Sequence, residues 1–284
     1  MPTPRSAVLQ AVEKAVDKLT PLALADSSWD NVGLMIEAAE PRQVAGAQRV
    51  MLCIDLTTAV CDEALSDPQT TCILTYHPPI FSGLKSLTLQ TPLQRSLLRA
   101  AAQGVSVFCI HTAADNAIGG VNDFLAKALA DGNDTRKAIE PEQNPPEGHE
   151  GSGTGRLVTL PSSMAKQEVV DRVKKALGRD FIQAAWADDG PEEIQTIAIC
   201  AGSGESVLRG VKADLYLTGE LGHHYVLSFN AQGIHCLVCN HSATERPWLP
   251  TFASRLEQEM NKGSTRSDFE VVVSRADREP LQVV

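Results

Sequence analysis

Thr-Cys-Ile-Leu-Thr at residues 71–75, a run of β-forming residues, leads directly into the polar cluster Tyr-His-Pro-Pro-Ile-Phe at 76–81. The same arrangement occurs twice more, where Val-Ser-Val-Phe-Cys-Ile precedes His-Thr-Ala-Ala-Asp-Asn at 111–116, and Ile-His-Cys-Leu-Val-Cys precedes Asn-His-Ser-Ala-Thr-Glu-Arg at 240–246. In open α/β sheets, ligands bind outside the carboxyl ends of the strands. Three histidines and two carboxylates at such ends therefore predict a metal site.

The pattern around these runs alternates between strands and helices. We predict strands near 50–56, 71–76, 105–111, 156–160, 181–186, 195–201, 213–218, 234–239 and 269–274. We predict helices near 6–19, 58–65, 92–103, 120–130, 164–177 and 244–260. Alternation of this kind is typical of an α/β fold with mixed, largely parallel sheets flanked by helices.

The chain organisation follows from composition. The segment 131–155 is rich in Pro, Gly, Glu and Asn, and we expect it to be an exposed linker in which His149 is solvated. The predicted division is an N-terminal α/β lobe at 1–130, the linker at 131–155, a small strand-helix-strand insert at 156–190 and a C-terminal α/β lobe at 191–284 that completes the metal site.

Bulk composition excludes several classes of protein. The net charge of −10 leaves no global basic field for direct nucleic-acid binding. No run reaches the roughly 20 apolar residues needed to cross a bilayer. The seven cysteines lie mostly in apolar runs, which favours reduced, buried thiols of an intracellular protein. We expect a cytoplasmic protein, with nuclear or mitochondrial placement as alternatives.

His241 and Glu245 are four residues apart at what the pattern predicts to be a helix N-terminus, with Ser242 as its cap. This spacing puts an imidazole and a carboxylate on one helical face, where both can bind one ion. The alternative is a capped helix start whose Glu245 pairs with Arg246.

His111 and Asp115 form a second candidate pair after a strand. The alternatives are a core histidine and an Asp that caps the following segment. His77 precedes two prolines that keep the chain out of a helix. It is either a preorganised ligand or part of a hydrophobic turn.

Two further stretches carry candidate chemistry. The turn of Gly202, Ser203 and Gly204 follows a strand, and its backbone N–H groups are candidates for binding an anion. The stretch 218–225 supplies Glu220 and His224 as candidate general acid or base groups. His224 packing under the sheet is the structural alternative. The loop at 28–34, with its bulky Trp29, either lines a pocket or turns a corner.

The order of five motifs resembles the NIF-three-like family (Ngg-one-interacting factor three), whose bacterial members are often labelled type 2 GTP cyclohydrolase I. The motifs are Trp-Asp-Asn-Val-Gly-Leu at 29–34, Tyr-His-Pro-Pro-Ile-Phe at 76–81, His-Thr-x-x-Asp at 111–115, Thr-Gly-Glu-x-x-His-His at 218–224 and His-x-x-x-Glu-Arg at 241–246. The resemblance implies a two-lobed α/β fold of eukaryotic type, dimers assembled into a toroidal homohexamer, and a di-metal centre. It maps the metal ligands onto His77, Asp115, His241 and Glu245.

One position departs from the family pattern. Tyr76 stands where many members carry a second histidine, and a phenol is a poor ligand because its ordinary pKa is about 10. We therefore expect one of two metal sites to be weakened, with His111 as a candidate replacement ligand. The mixed nitrogen and oxygen set suits Zn, Fe, Mn or Ni, with one or two ions per chain.

These features predict a metal-dependent hydrolase of a small, nucleotide-like ligand, because metal-bound water is a source of hydroxide near neutral pH. The family's label as a GTP cyclohydrolase is one such reaction. The alternatives are a non-catalytic interaction protein that binds a transcriptional adaptor, in keeping with the family's name, and a carrier of metal or of a cofactor intermediate.

Overall fold

The computed structural model describes residues 5–130, 135–264 and 268–284. Its helices are α1 (Ala7–Leu19), α2 (Thr58–Ser66), α3 (Pro92–Ala102), α4 (His111–Asn116), α5 (Val121–Ala130), α6 (Lys166–Leu177), α7 (Glu205–Leu208), α8 (His223–Asn230) and α9 (Leu249–Met260). Its strands are β1 (Gly33–Ile36), β2 (Gln48–Cys53), β3 (Thr70–Thr75), β4 (Ser106–Cys109), β5 (Thr135–Lys137), β6 (Glu140–Pro141), β7 (Gly153–Thr154), β8 (Arg156–Ala165), β9 (Gln183–Ala185), β10 (Glu193–Ser203), β11 (Leu215–Glu220), β12 (His235–Val238) and β13 (Phe269–Val273).

Contacts between residues divide the chain into two units. The first contains Met1–Ala114 with Leu249–Arg278, and the second contains Asp115–Trp248 with Glu279–Val284. This grouping follows spatial contact, whereas the division predicted from the sequence follows chain order and stays a prediction. Residues 131–134 of the predicted linker lie outside the described residues.

The first unit is built on a five-stranded sheet in the order β1-β4-β3-β2-β13. Only β1 runs antiparallel to its neighbour among the pairings of this sheet, since β4, β3, β2 and β13 pair in parallel. Strands β3 and β4 are buried along their whole length, which explains why neither contains a charged residue. Cys53, Ile73 and Val107 from the three central strands pack with Val60 of α2 and Leu97 of α3.

The helices of this unit begin at the residues that their sequences favour. Ser6 caps α1, Thr57 caps α2 and Thr91 caps α3, each by accepting a hydrogen bond from a backbone N–H in the first turn. Pro92 occupies the first position of α3, where its missing N–H costs nothing. These local signals are why the predicted helix starts agree with the structure to within one or two residues.

The second unit contains a six-stranded sheet in the order β5-β8-β10-β11-β12-β9. Strands β10, β11 and β12 are parallel to one another, while β5, β8 and β9 pair antiparallel. The α/β prediction with mixed sheets flanked by helices is confirmed. Because β11 and β12 are parallel, their carboxyl ends lie at the same edge of the sheet. This edge carries the candidate site of the second unit.

A buried guanidinium organises the second unit behind that edge. Arg156 is 1% exposed, and its Nε lies 2.7 Å from Asp123 Oδ1. Its Nη1 donates to the carbonyl oxygens of Gly153 and Gly155 at 2.6 and 2.7 Å, and its Nη2 donates to that of Ala117 at 3.2 Å. Arg156 therefore links α5 to the turn before β8 and to the chain that follows α4.

Two further expectations concern buried groups. His149 is 4% exposed, and its Nδ1 accepts a hydrogen bond from the backbone N–H of Ile118 at 3.2 Å. The expectation that His149 is solvated is therefore wrong, because its partner, the Ile118 amide, belongs to a distant turn that the local composition does not reveal. All seven cysteines lie in the described chain, are buried and form no disulfide.

Within the described residues, no helix combines the length and apolar character that crossing a membrane requires.

We predict that Arg156→Met lowers the free energy of unfolding by about 3–5 kcal/mol, because it leaves the Asp123 carboxylate without its buried partner. The matched control is Arg209→Met, whose exposed pair with Glu205 at 3.0 Å contributes less than about 1 kcal/mol. Urea unfolding of the three proteins measures both effects. Equal losses in the two variants would contradict a structural role for the buried pair.

Candidate metal centre

In the second unit, a histidine lies between two glutamates. His241 follows β12, and Glu220 ends the neighbouring strand β11, so the two residues meet at the carboxyl edge of the sheet. The Nδ1 atom of His241 lies 3.1 Å from Glu220 Oε2, and its Nε2 atom lies 3.3 Å from Glu245 Oε1. The Glu245 side chain is 3% exposed, so its carboxylate points into the protein towards the imidazole.

The chain from His241 to Glu245 forms turns and not the first turn of a long helix. Thr244 N–H donates to His241 O at 3.1 Å and Glu245 N–H donates to Ser242 O at 3.2 Å, followed by a 3-10 turn at Arg246–Trp248. The predicted helix start near 244 is wrong, since α9 begins at Leu249. Pro247 explains the break, because the residue before a proline disfavours the α conformation.

Ser242 does not cap a helix. Its hydroxyl donates to Glu279 Oε2 at 2.8 Å and accepts from Arg246 Nη2 at 2.9 Å. The predicted meeting of His241 and Glu245 side chains nevertheless occurs, because the successive turns give the same four-residue spacing as a helix.

The turn at Gly202 lies directly against these two side chains. Gly202 has a φ of +65°, and a Cβ atom there would lie 2.8 Å from Glu245 Oε1 and 3.0 Å from His241 Nε2. Its N–H donates to Thr244 Oγ1 at 2.9 Å, so this amide is already engaged. The absence of a side chain at Gly202 is what gives the two donor atoms their space. Anion binding by Gly202, Ser203 and Gly204 stays a prediction.

Asp115 is held near the same turn through an asparagine. Asn122, in α5, is fully buried; its Nδ2 donates to the backbone oxygen of Asp115 at 3.2 Å, and its Oδ1 accepts from Ala201 N–H at 2.9 Å. One amide side chain thus connects the segment that carries Asp115 to the turn that packs against His241.

In the first unit, His77 follows β3 and pairs with a carboxylate from the end of the neighbouring strand. Its Nδ1 atom lies 3.0 Å from Asp55 Oδ1, and the His77 side chain is 22% exposed. Asp55 follows β2, which pairs in parallel with β3, so both side chains emerge at the same edge of the sheet.

His111 is oriented in the same way at the first residue of α4. Its Nδ1 atom lies 2.7 Å from Asp30 Oδ1, and Thr112 donates to Asp30 Oδ2 from both its N–H, at 3.2 Å, and its hydroxyl. Burial of Asp30 would by itself raise its pKa, but the hydrogen bonds from His111 and Thr112 outweigh burial and lower the pKa of Asp30 below its ordinary value of 3.8.

Tyr76 fills space beside these histidines. It is 1% exposed, and its ring centroid lies 5.3 Å from that of His77 and 6.0 Å from that of His111, edge-on to both. The ring centroids of His77 and His111 are 5.4 Å apart. Tyr76 is therefore packed as a core aromatic, and His111 as a replacement ligand stays a prediction.

His224 lies in the second unit, in the first turn of α8. It is exposed on α8, with its ring 5.3 Å from that of His223. The alternative of packing under the sheet is therefore wrong. Its catalytic role stays a prediction, as does that of Glu220, whose carboxylate the structure places on His241 Nδ1.

The three imidazoles share one geometry. Each has its Nδ1 against a carboxylate, supplied by Asp55, Asp30 or Glu220, which fixes the ring orientation and presents Nε2 on the opposite side. Carboxylates in this position are the usual outer partners of metal-binding histidines. His77, His241 and Glu245 each offer one ligand atom, an imidazole nitrogen or a carboxylate oxygen.

Asp30 and Asp55 are not among the site residues predicted from the sequence. Signals for both were present, since Asp55 follows the buried run of β2 and Asp30 sits in the quoted loop at 28–34. Neither signal identifies a partner, because His77 is 22 residues and His111 is 81 residues away along the chain.

A cavity of about 410 Å³ in the second unit is lined in part by Glu220, the residue that contacts His241 Nδ1. Its lining includes Gln183, Ser203, Glu205, Glu220, Gly222 and Asn240. Asn240 has a φ of +69°, and it is the one non-glycine residue with positive φ among the backbone angles recorded for the described chain. Strain of this kind concentrates at functional sites.

Comparison with known proteins gives a consistent result. The family model described as Duf34/NIF3 (NGG1p interacting factor 3) matches residues 7–280. The Protein NIF3 homolog of Schizosaccharomyces pombe is 41% identical over 95% of this chain and 96% of its own length. NGG1-interacting factor 3 of Saccharomyces cerevisiae is 36% identical over 98% and 97%, respectively.

Solved structures agree at the level of the fold. A Bacillus cereus protein related to NIF3 superimposes with a TM-score of 0.79, at 18% identity over 99% of both chains. Reduced HcgD from Methanocaldococcus jannaschii gives a TM-score of 0.73, at 20% identity over 93% of this chain and 96% of that one.

We predict that Gly202→Ala lowers the free energy of unfolding by more than Gly210→Ala does. Both glycines have positive φ, so both variants carry the backbone strain of about 1 kcal/mol that alanine suffers there. A Cβ at Gly210 meets nothing within 4 Å, whereas one at Gly202 collides with Glu245 and His241. Urea unfolding compares the two. Equal losses would show that the site tolerates a side chain at this turn.

We predict that Asp30→Asn flattens the acid dependence of stability. The folded pKa of Asp30 is lowered, so its contribution to stability is present above the ordinary value of 3.8 and is lost as the pH falls through the folded pKa. The difference in unfolding free energy between native protein and variant should therefore shrink from about pH 5 to about pH 3. A difference that stays constant over this range contradicts the pairing with His111 and Thr112.

Proposed function

Since the chain belongs to the DUF34/NIF3 family, we propose that it binds one or two divalent transition-metal ions and hydrolyses a small, nucleotide-like ligand. The proposed ligands are His77, Asp115, His241 and Glu245, with His111 as a further candidate. The observation that carries the proposal is the pairing of Nδ1 with a carboxylate at each of the three imidazoles. Zn, Fe, Mn and Ni all suit this mixed set of donors.

The residues of the second unit fit a metal by a test that is independent of family membership. Gly202 leaves open the space that a Cβ would fill beside Glu245 Oε1 and His241 Nε2. The donor atoms are thus an imidazole nitrogen and a buried carboxylate oxygen, the types that such ions prefer. A bound divalent ion would supply Lewis acidity and a water of lowered pKa.

Residues of the chain would orient the metal ligands and transfer protons. Glu220 would accept a hydrogen bond from Nδ1–H of His241 and so fix the tautomer whose lone pair is on Nε2, the atom proposed to bind the ion. Asp55 would do the same for His77. This role for Glu220 is an alternative to direct acid–base catalysis. His224, exposed on α8, is the candidate general acid or base in the proposal.

A second function is supported by the name of the Saccharomyces cerevisiae relative, NGG1-interacting factor 3. If this chain shares the interaction that the relative's name describes, it would bind a transcriptional adaptor protein and act in the nucleus. The carrier of metal or of a cofactor intermediate is the third alternative. Assembly into a dimer or a hexameric ring, as the family resemblance implies, is part of the proposal for all three functions.

We predict that protein purified without added metal contains one or two equivalents of a divalent ion per chain, as measured by elemental analysis. His241→Ala should lower the metal content by more than half, because it removes a ligand. His223→Ala is the matched control, since this exposed imidazole lies on α8 and is not a proposed ligand. Metal content unchanged by His241→Ala would refute the proposed ligand set.

Glu220→Gln separates the two roles of that residue. If Glu220 orients His241, metal affinity should fall about 10- to 100-fold. If it acts only as an acid or base, the metal should remain while turnover of nucleotides is lost. Removal of metal with a chelator should abolish turnover. Full metal loading with no turnover of any nucleotide tested would favour the interaction or carrier function.

A further inference from the structure

Two large aromatic side chains of the first unit stand side by side in solvent. Trp29 is 51% exposed and Phe81 is 54% exposed. Their ring centroids are 5.9 Å apart and their planes are inclined by 38°. We call this pair the aromatic platform. Leaving two such rings in water forgoes the favourable free energy that burying them would give, which marks the platform as a binding surface.

The platform is held in place by polar contacts. Trp29 Nε1 donates to Asp26 Oδ2 at 2.7 Å, and Asp26 N–H donates to Thr112 Oγ1 at 3.0 Å. Asn31 Nδ2 donates to the carbonyl oxygen of Ile80, which ties the loop of Trp29 to the residue before Phe81. The indole N–H is therefore used within the loop, so what Trp29 offers to a ligand is its ring face.

The spacing of the rings restricts how a ligand could bind. Insertion of a ring between two aromatic faces needs about 7 Å, twice the contact distance of carbon atoms. The 5.9 Å separation and the inclination of the planes exclude a sandwich. A ligand ring would therefore lie across the outer faces, in the offset or inclined arrangements that aromatic pairs prefer.

The surroundings of the platform favour a ring with polar edges. The indole of Trp29 lies edge-on to the imidazole of His111, with centroids 5.8 Å apart. Asp26 accepts hydrogen bonds from Trp29 Nε1 and from the Ser28 hydroxyl, and its N–H donates to Thr112, so polar groups lie at the edge of the indole. A planar heteroaromatic compound matches both the ring faces and these polar groups.

We infer that the aromatic platform binds the planar heteroaromatic ring of a small ligand by stacking on Trp29 and Phe81, with His111 beside the edge of the bound ring. The inference deepens the proposed function and rests on it in one respect, because the ring would belong to the compound that the metal centre hydrolyses. Binding itself requires no metal, so the two proposals can fail separately.

The test measures binding of guanosine and adenosine to chelator-treated full-length protein by equilibrium dialysis, with ribose as a probe that lacks the ring. Trp29→Ala should weaken nucleoside binding by roughly 5- to 100-fold, the range for loss of one stacked base. Trp29→Phe should retain most of the affinity, because it keeps an aromatic face. Phe81→Leu, which keeps apolar area but no π-face, should weaken binding as Trp29→Ala does.

Trp186→Leu is the matched control. Trp186 is 40% exposed and lies in the second unit, edge-on to His235, so its loss should leave nucleoside affinity unchanged. Far-ultraviolet circular dichroism of each variant establishes that it is folded. The metal content of Trp29→Ala should equal that of the native protein, which distinguishes loss of the platform from loss of the metal centre.

Three outcomes of the binding assay would overturn the inference. These are no nucleoside binding by native protein at millimolar concentration, equal binding by native protein and Trp29→Ala, and equal binding of ribose and guanosine. A change of oligomeric state in Trp29→Ala without loss of nucleoside affinity would also overturn it, since a second copy would then cover the platform. Nucleoside binding that depends on Trp29 in a protein that binds no metal would support the platform and refute the proposed hydrolysis.

Discussion

The contact between a carboxylate and the Nδ1 atom of a histidine is the interaction on which the candidate site depends. An imidazole on a flexible loop can turn either nitrogen outwards. Asp55, Asp30 and Glu220 remove that freedom for His77, His111 and His241. Because the protein supplies the orienting groups, the donor atoms are arranged by the fold and do not need an ion to arrange them.

Parallel pairing explains how residues so far apart in sequence form these contacts. Within the first unit, β2 and β3 deliver Asp55 and His77 to one edge of a sheet. Within the second, β11 and β12 do the same for Glu220 and His241. Two β-strand ends thus supply an imidazole and its carboxylate in each case.

Much of the fold was predictable because buried parallel strands such as β3 and β4 are uncharged runs of β-forming residues, and helices such as α3 begin at recognisable caps. The histidines that follow those strands were predictable for the same reason. The later start of α9 follows from Pro247, a signal that the sequence does contain. The burial of His149 was not predictable, since it depends on a contact with the backbone of Ile118 that the local composition does not show. The sequence indicates that a histidine follows a strand, but it does not indicate which carboxylate will contact its Nδ1 atom.

Asn122 has an implication of a different kind. Its single planar amide grips the backbone beside Asp115 with one end and the backbone of Ala201 with the other. Because the amide is planar and fully buried, a movement of the backbone at Asp115 is coupled to a movement of the backbone at Ala201. Helix α5 contains none of the proposed metal ligands. A substitution in α5 that moves Asn122 would therefore change the distance between Asp115 and His241 while every proposed ligand stays the same.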